Sequence, residues 1–165
     1  MSVGKNFRSV TKLKVVTDAI DLCSYTMDVC SKEQNFPKRS RWMLAEKIVS
    51  TSLEIVDHIV RGNEINVECT NDYLERRKRQ SNAYGACESL LAFIAIAYTR
   101  YKLDGVSVEF WTQSIVSVEA RIASWRLSDV KRYKSFAPPG LDGDEVDMAV
   151  EEIKQNEAKQ NDLPF

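Results

Sequence analysis

The only histidine in the chain, His58, stands four residues after Glu54 and directly after Asp57. On a helix, a carboxylate and an imidazole four residues apart share a face and could supply two ligands to a metal ion. One histidine cannot complete the sets that need two, including the paired Glu-x-x-His motifs of di-iron bundles. His58 therefore reads as a partly exposed structural side chain. Cys23, Cys30, Cys69 and Cys87 are even in number, but no pair has Cys-x-x-Cys spacing, so reduced and mostly buried thiols are expected. Gly-Asn and Asp-Gly here are turn signals and not phosphate loops, and no Ser or Thr stands in a nucleophile-elbow context. Glu46, Glu54, Asp57 and Glu88 are acids of the kind every helix surface carries. These residues predict no catalytic site, no metal site and no cofactor: the chain reads as a non-enzyme.

Basic residues are the more informative chemistry. Arg76-Arg77-Lys78-Arg79 is a run of four, Lys131-Arg132-Tyr133-Lys134 encloses an aromatic, and Lys38, Arg39 and Arg41 form a third cluster. The net charge of −1 hides a split. Residues 1–135 hold 21 Lys and Arg against 16 Asp and Glu, or +5, and residues 136–165 hold 2 against 8, or −6. A basic body of this kind suits an anionic partner.

Apolar spacing defines the elements that must carry these charges. Leu13, Val16, Ile20, Cys23, Met27 and Cys30 recur in steps of three and four, the seam of one helix face. A break at 31–38 ends in Pro37, a residue suited to a first helical turn. A second helix is predicted from about Lys38 to Arg61, closed by Gly62 and Asn63. It carries two stripes: Leu44, Ile48, Thr51, Ile55 and Ile59, and Trp42, Ala45, Val49, Ser52, Val56 and Val60. A third, from about Asn71 to Leu103, has Ala83, Cys87, Leu90, Ile94, Ala97 and Tyr101 in register, with Leu91, Phe93 and Ile96 off that stripe. The fourth comes after the Asp104-Gly105 turn with Val108, Trp111, Ile115, Val118, Ile122 and Trp125. Gly105 to Phe110 could also be read as a strand, but it would have no partner.

Four such seams with short connections predict an all-α protein, an up-down-up-down antiparallel four-helix bundle over residues 1–136. Pro138-Pro139-Gly140 is predicted to break the fourth helix, and residues 137–165 read as an acidic tail, flexible or forming a loosely docked short helix. The longest apolar run, Leu90 to Tyr98, is far short of the ~20 residues of a membrane span, and no secretory leader precedes the first helix, so a cytoplasmic protein without membrane contact is expected. In that topology Lys12, Lys14, Arg61, Arg76, Arg77, Lys78, Arg79, Lys131, Arg132 and Lys134 gather at one end of the bundle, where RNA or DNA phosphates, or an acidic protein, could bind. The apolar excess at Trp42 and Val49 and at Leu91, Phe93 and Ile96 is more than one seam can cover. It predicts a homo-oligomer with those residues at the interface.

A first helix ending before Phe36-Pro37-Lys38, then Arg41, Leu44 and Ile48, an apolar second helix and a third that opens with basic residues resemble one small four-helix-bundle family. It includes the 23S rRNA intervening-sequence proteins and the accessory variability determinant (Avd) proteins of diversity-generating retroelements, and the resemblance covers roughly Leu13 to Lys134. It implies a non-catalytic homopentamer that binds a reverse transcriptase and template RNA or cDNA and supports mutagenic reverse transcription. The net charge of −1 and the acidic extension depart from that pattern. The reading from another class is a protein-interaction scaffold of a bacterial or phage system with no nucleic-acid role.

Overall fold

A computed structural model describes residues 14–141. Lys12 and the acidic segment from Asp142 onward lie outside the described residues. Four helices succeed one another: α1 Lys14–Ser31, α2 Arg41–Glu64, α3 Thr70–Tyr101 and α4 Gly105–Arg132, the last leading into a 3-10 turn, Lys134–Phe136. Among the described residues there is no strand, and 105–110 is the opening of α4. α2 packs against α1 and α3, and α4 against α3 and α1, closing a four-helix bundle.

Local chemistry sets where the helices begin. Asp104 caps α4 by accepting from the Ser107 backbone N–H and hydroxyl, both at 2.9 Å. Asp72 reaches back at the start of α3 to the backbone N–H groups of Glu68 (3.1 Å) and Cys69 (3.2 Å). These hydrogen bonds, with the Cys69 thiol contact first among them, hold the Asp72 carboxyl below its usual range. The connection between α1 and α2 is built by the Phe36-Pro37-Lys38 segment and Arg41. Phe36 is fully buried with its ring 5.1 Å from that of Tyr101, and Arg41 donates to the backbone carbonyls of Phe36 (3.3 Å) and Ser31 (3.0 Å).

The predicted seams form the core. Ile48, Ile55, Ile59, Leu90, Ile94, Trp111, Ile115 and Ile122 are fully buried. Each such side chain contributes about 1.5–3 kcal/mol by leaving water. The Trp111 indole donates to the Thr26 hydroxyl (2.9 Å), which donates to the Leu22 carbonyl (2.8 Å), so the polar atoms of this pair are satisfied. Cys23, Cys30 and Cys87 are buried free thiols and Cys69 is exposed. Desolvation pushes the Cys30 thiol up to about 12.

Two boundaries differ from those the sequence predicts. Gly62 does not end α2, which continues to Glu64. A Cβ on Gly62 would lie 3.0 Å from Arg79 Cβ and 3.0 Å from the Trp125 ring. Glycine is needed there for close approach of three helices, not for a left-handed cap. α4 ends at Arg132, before the prolines and not at them.

Candidate nucleic-acid and partner interface

The basic run at the start of α3 divides between core and surface. Arg76 is 6% exposed and forms a forked pair with Asp129 of α4, Nε to Oδ2 at 2.6 Å and Nη2 to Oδ1 at 3.3 Å. Its Nη1 donates to the carbonyl oxygens of Gly62 (3.1 Å), Asn63 (3.3 Å) and Ile65 (3.2 Å) where α2 ends, the Gly62 carbonyl also accepting from the Ile65 backbone N–H at 3.4 Å. The guanidinium packs between the rings of Trp125 (5.1 Å) and Tyr133 (5.7 Å). Gln80 completes the cluster by donating to Asp129 Oδ2 at 2.6 Å. Arg77 is 8% exposed, its Nη1 donating to the Tyr73 hydroxyl at 2.8 Å.

The expectation that all four residues of this run meet phosphates is therefore corrected for Arg76 and Arg77. Both are held inside the bundle, and extracting Arg76 would leave the buried Asp129 carboxylate without its charged partner. Lys78 is exposed, and Arg79 is partly exposed and pairs with Glu75 at 3.0 Å.

The same cluster brings other predicted cations to this end. Arg76 ties the start of α3 to the ends of α2 and α4, and the Arg121–Asp18 ion pair ties α4 to the first turns of α1. Lys14 opens α1 and is exposed, and Arg61 is exposed and pairs with Asp57 at 2.8 Å. Lys131, Arg132 and Lys134 are exposed where α4 ends. Tyr133, the aromatic within that run, is half-buried, with its ring 6.3 Å from that of Tyr73; it fastens the end of α4 to α3 and is not displayed for stacking. Among the described residues, Lys14, Lys78, Lys131, Arg132 and Lys134 take part in no ion pair. That leaves exposed charges of the kind that hold phosphates without reading sequence, with the Arg132 guanidinium 5.9 Å from the Tyr133 ring centroid.

The opposite end has a different character. Tyr101 of α3 donates to the Ser40 carbonyl before α2, and Tyr25 of α1 to the Ser107 carbonyl of α4, so the end of α1, start of α2, end of α3 and start of α4 meet there. Met27, Trp42, Met43, Ile96, Tyr98, Val106 and Phe110 are all exposed at or near this end, Trp42 by 71% and Ile96 by 55%. Trp42 and Val49 line one groove of about 510 Å³ between α1 and α2, with Met27, Cys30 and Ala45 as its apolar walls and Lys38 at its edge. Of the predicted interface residues, Val49, Leu91 and Phe93 are half-buried and packed against the core of their own bundle. Trp42 and Ile96 are exposed.

One buried acid was not anticipated. Glu119 of α4 is 8% exposed and its Oε1 has no hydrogen-bond partner. Desolvation, with the Glu88 carboxylate beside it, pushes its pKa up to about 7. His58 is half-buried, and among the described residues no three His, Cys, Asp or Glu side chains are placed to hold a metal ion. Nor is any helix among them long and apolar enough to cross a membrane. Comparison of the chain with family models, with curated proteins and with solved structures gives no match.

Proposed function

We propose that this chain is a non-catalytic, oligomeric accessory protein of the Avd-like kind, an up-down-up-down bundle that binds nucleic acid at its cationic end and a protein at its apolar end. The observation that carries this reading is the pair of surface clusters. Lys131, Arg132 and Lys134 are exposed where α4 ends and take part in no ion pair among the described residues. Seven of the eleven exposed large apolar side chains lie at or near the end where α4 begins, alongside the exposed Lys32, Arg39, Arg100 and Lys102. A surface of point charges suits a template RNA or cDNA held without sequence preference. An exposed apolar patch suits other copies of the chain, five by resemblance, and a reverse transcriptase. Repetition of the cations around a ring raises the affinity of a modest patch through avidity.

The burial of Arg76 and Arg77 removes two cations from that surface and gives weight to the second reading, a protein-interaction scaffold that uses only the apolar end. Light scattering on the purified chain, alone and with a single-stranded RNA, separates the two. The first reading expects a mass several times 18.8 kDa that increases further with RNA. An assembled protein that ignores RNA at low salt leaves the scaffold reading, and a monomer contradicts both.

A further inference from the structure

The outward face of α3 has a composition that its own bundle does not require. Ser81, Gly85, Ser89, Ala92, Ile96 and Thr99 recur there in steps of three and four, and all six are exposed. All but Ile96 are small. A Cβ on Gly85 would meet no atom within 4 Å, so nothing inside the bundle calls for glycine in the middle of a 32-residue helix. Glycine is the poorest helix former after proline, and its use there suits close approach of a backbone from outside. α4 packs beside α3 and exposes Val106, Phe110 and Val116 by 76%, 56% and 50%. Where the two helices meet, Glu88 is exposed, and beside it Glu119 is 8% exposed with its Oε1 lacking a donor. Residues 80–99 and 105–120 together hold three charged side chains, Glu88, Glu109 and Glu119, and no cation. A cation arriving from outside is what these carboxyl groups lack.

The start of α2 is its complement. Residues 38–46 hold Lys38, Arg39 and Arg41 against one acid, Glu46. Arg39 is exposed and takes part in no ion pair among the described residues. Trp42 and Met43 follow it, exposed by 71% and 57%. Tryptophan and arginine are the residue types that most often anchor protein interfaces. Trp42 lines the groove between α1 and α2, on a different side of the bundle from the α3–α4 face. We propose that the α3–α4 face receives the start of α2 from a second copy of the chain, Trp42 and Met43 packing over Gly85, Ala92 and Ile96 and Arg39 meeting the glutamates. This rests on the oligomer reading above and names the two surfaces that meet. Two unlike patches make a heterologous contact, which passes from copy to copy and gives a ring when the rotation closes.

The test is sedimentation velocity on the full natural chain, on Trp42→Glu, on Gly85→Gln and on an equal mixture of the two variants. Both substitutions fall at exposed positions, and circular dichroism should show unchanged helicity. Each variant alone should self-associate at least roughly ten-fold more weakly than the natural chain. The mixture should recover a two-chain species absent from either variant alone. In it the Gly85→Gln copy still offers its Trp42, and the Trp42→Glu copy still offers an intact α3–α4 face. A mixture no larger than its components overturns this pairing, and so does either variant that assembles like the natural chain. Both of those results leave the oligomer reading standing, because the natural chain still assembles. A monomeric natural chain overturns the oligomer reading and this inference with it.

Discussion

Replacing Arg76 with Met should damage the fold, although the residue stands in a run of four cations that looks like a surface patch. Asp129 would keep only Gln80 as a donor in a site where its own side chain is 3% exposed. Removing one partner of a buried ion pair costs about 3–5 kcal/mol, because the other charge is left uncompensated. The Gly62 carbonyl keeps the Ile65 N–H as a donor at 3.4 Å, and Asn63 and Ile65 are open enough to recover water, so the ion pair dominates the cost. A loss of about 3–5 kcal/mol is a large part of the 5–15 kcal/mol typical of a domain, and at roughly 3 °C per kcal/mol it lowers Tm by about 9–15 °C. Lys78→Met, two residues away and exposed, should change stability by less than about 0.5 kcal/mol. Urea unfolding monitored by circular dichroism measures both. The double variant Arg76→Met with Asp129→Leu should lose clearly less than the sum of the two singles, since it removes both charges. If Arg76→Met falls within about 1 kcal/mol of Lys78→Met, the buried pair does not exist in solution and Arg76 returns to the surface. Neutralising the whole 76–79 run would therefore confound loss of binding with loss of fold.

Gly62→Ala should destabilise by about 1–2 kcal/mol despite the higher helix propensity of alanine, because the added carbon meets Arg79 Cβ and Trp125 at 3.0 Å; thermal unfolding reads this directly. Glu119 binds its proton with a pKa of about 7 in the fold against an ordinary value of 4.5. Its contribution to stability is therefore lost as pH rises between those values, by on the order of 2–3 kcal/mol, and is flat above. Glu119→Gln should remove that slope, leaving the variant more stable than the natural chain at pH 8 and close to it at pH 4.5, as urea midpoints at the two values will show. Ile96→Lys should lower the mass of the assembly in light scattering and leave helicity unchanged, since Ile96 is 55% exposed in the single bundle. An unchanged mass would remove Ile96 from the interface. Phe93→Lys is a poorer probe, because Phe93 packs against its own core.

Much of the fold was legible because helical periodicity is a local property. The steps of three and four from Ala83 to Ala97 and from Trp111 to Trp125 mark residues that are all buried. The composition of the basic run was equally plain, but its division was not. Extending the α3 seam backward from Ala83 in the same steps reaches Gln80 and Arg76, and extending the α4 seam forward from Trp125 reaches Asp129. Polar side chains at seam positions were the available sign of a buried ion pair. Charge alone favours the surface for these residues, whereas register places them in the core. Gly62 misled in a similar way. A glycine near a helix end suggests a cap, and only tertiary packing shows that Trp125 and Arg79 occupy the space of its missing side chain. Exposure of Trp42 and Ile96 could not be separated from the burial of Phe93 by sequence, because an apolar surround looks the same whether its own bundle or another covers it.

If Lys131, Arg132 and Lys134, which take part in no ion pair among the described residues, hold nucleic acid at the end of α4, binding must weaken steeply as salt rises. Binding of a single-stranded RNA is measured across salt concentrations for the natural chain and for the variant Lys131→Gln, Arg132→Gln, Lys134→Gln. Each phosphate contact contributes roughly −0.7 to the slope of log K against log salt. If all three cations contact phosphate, the natural chain should give a slope of about −2 or steeper, and the variant should lose about 2 of it together with most of its affinity at low salt. A slope near zero, or one that the three substitutions leave unchanged, would contradict the account.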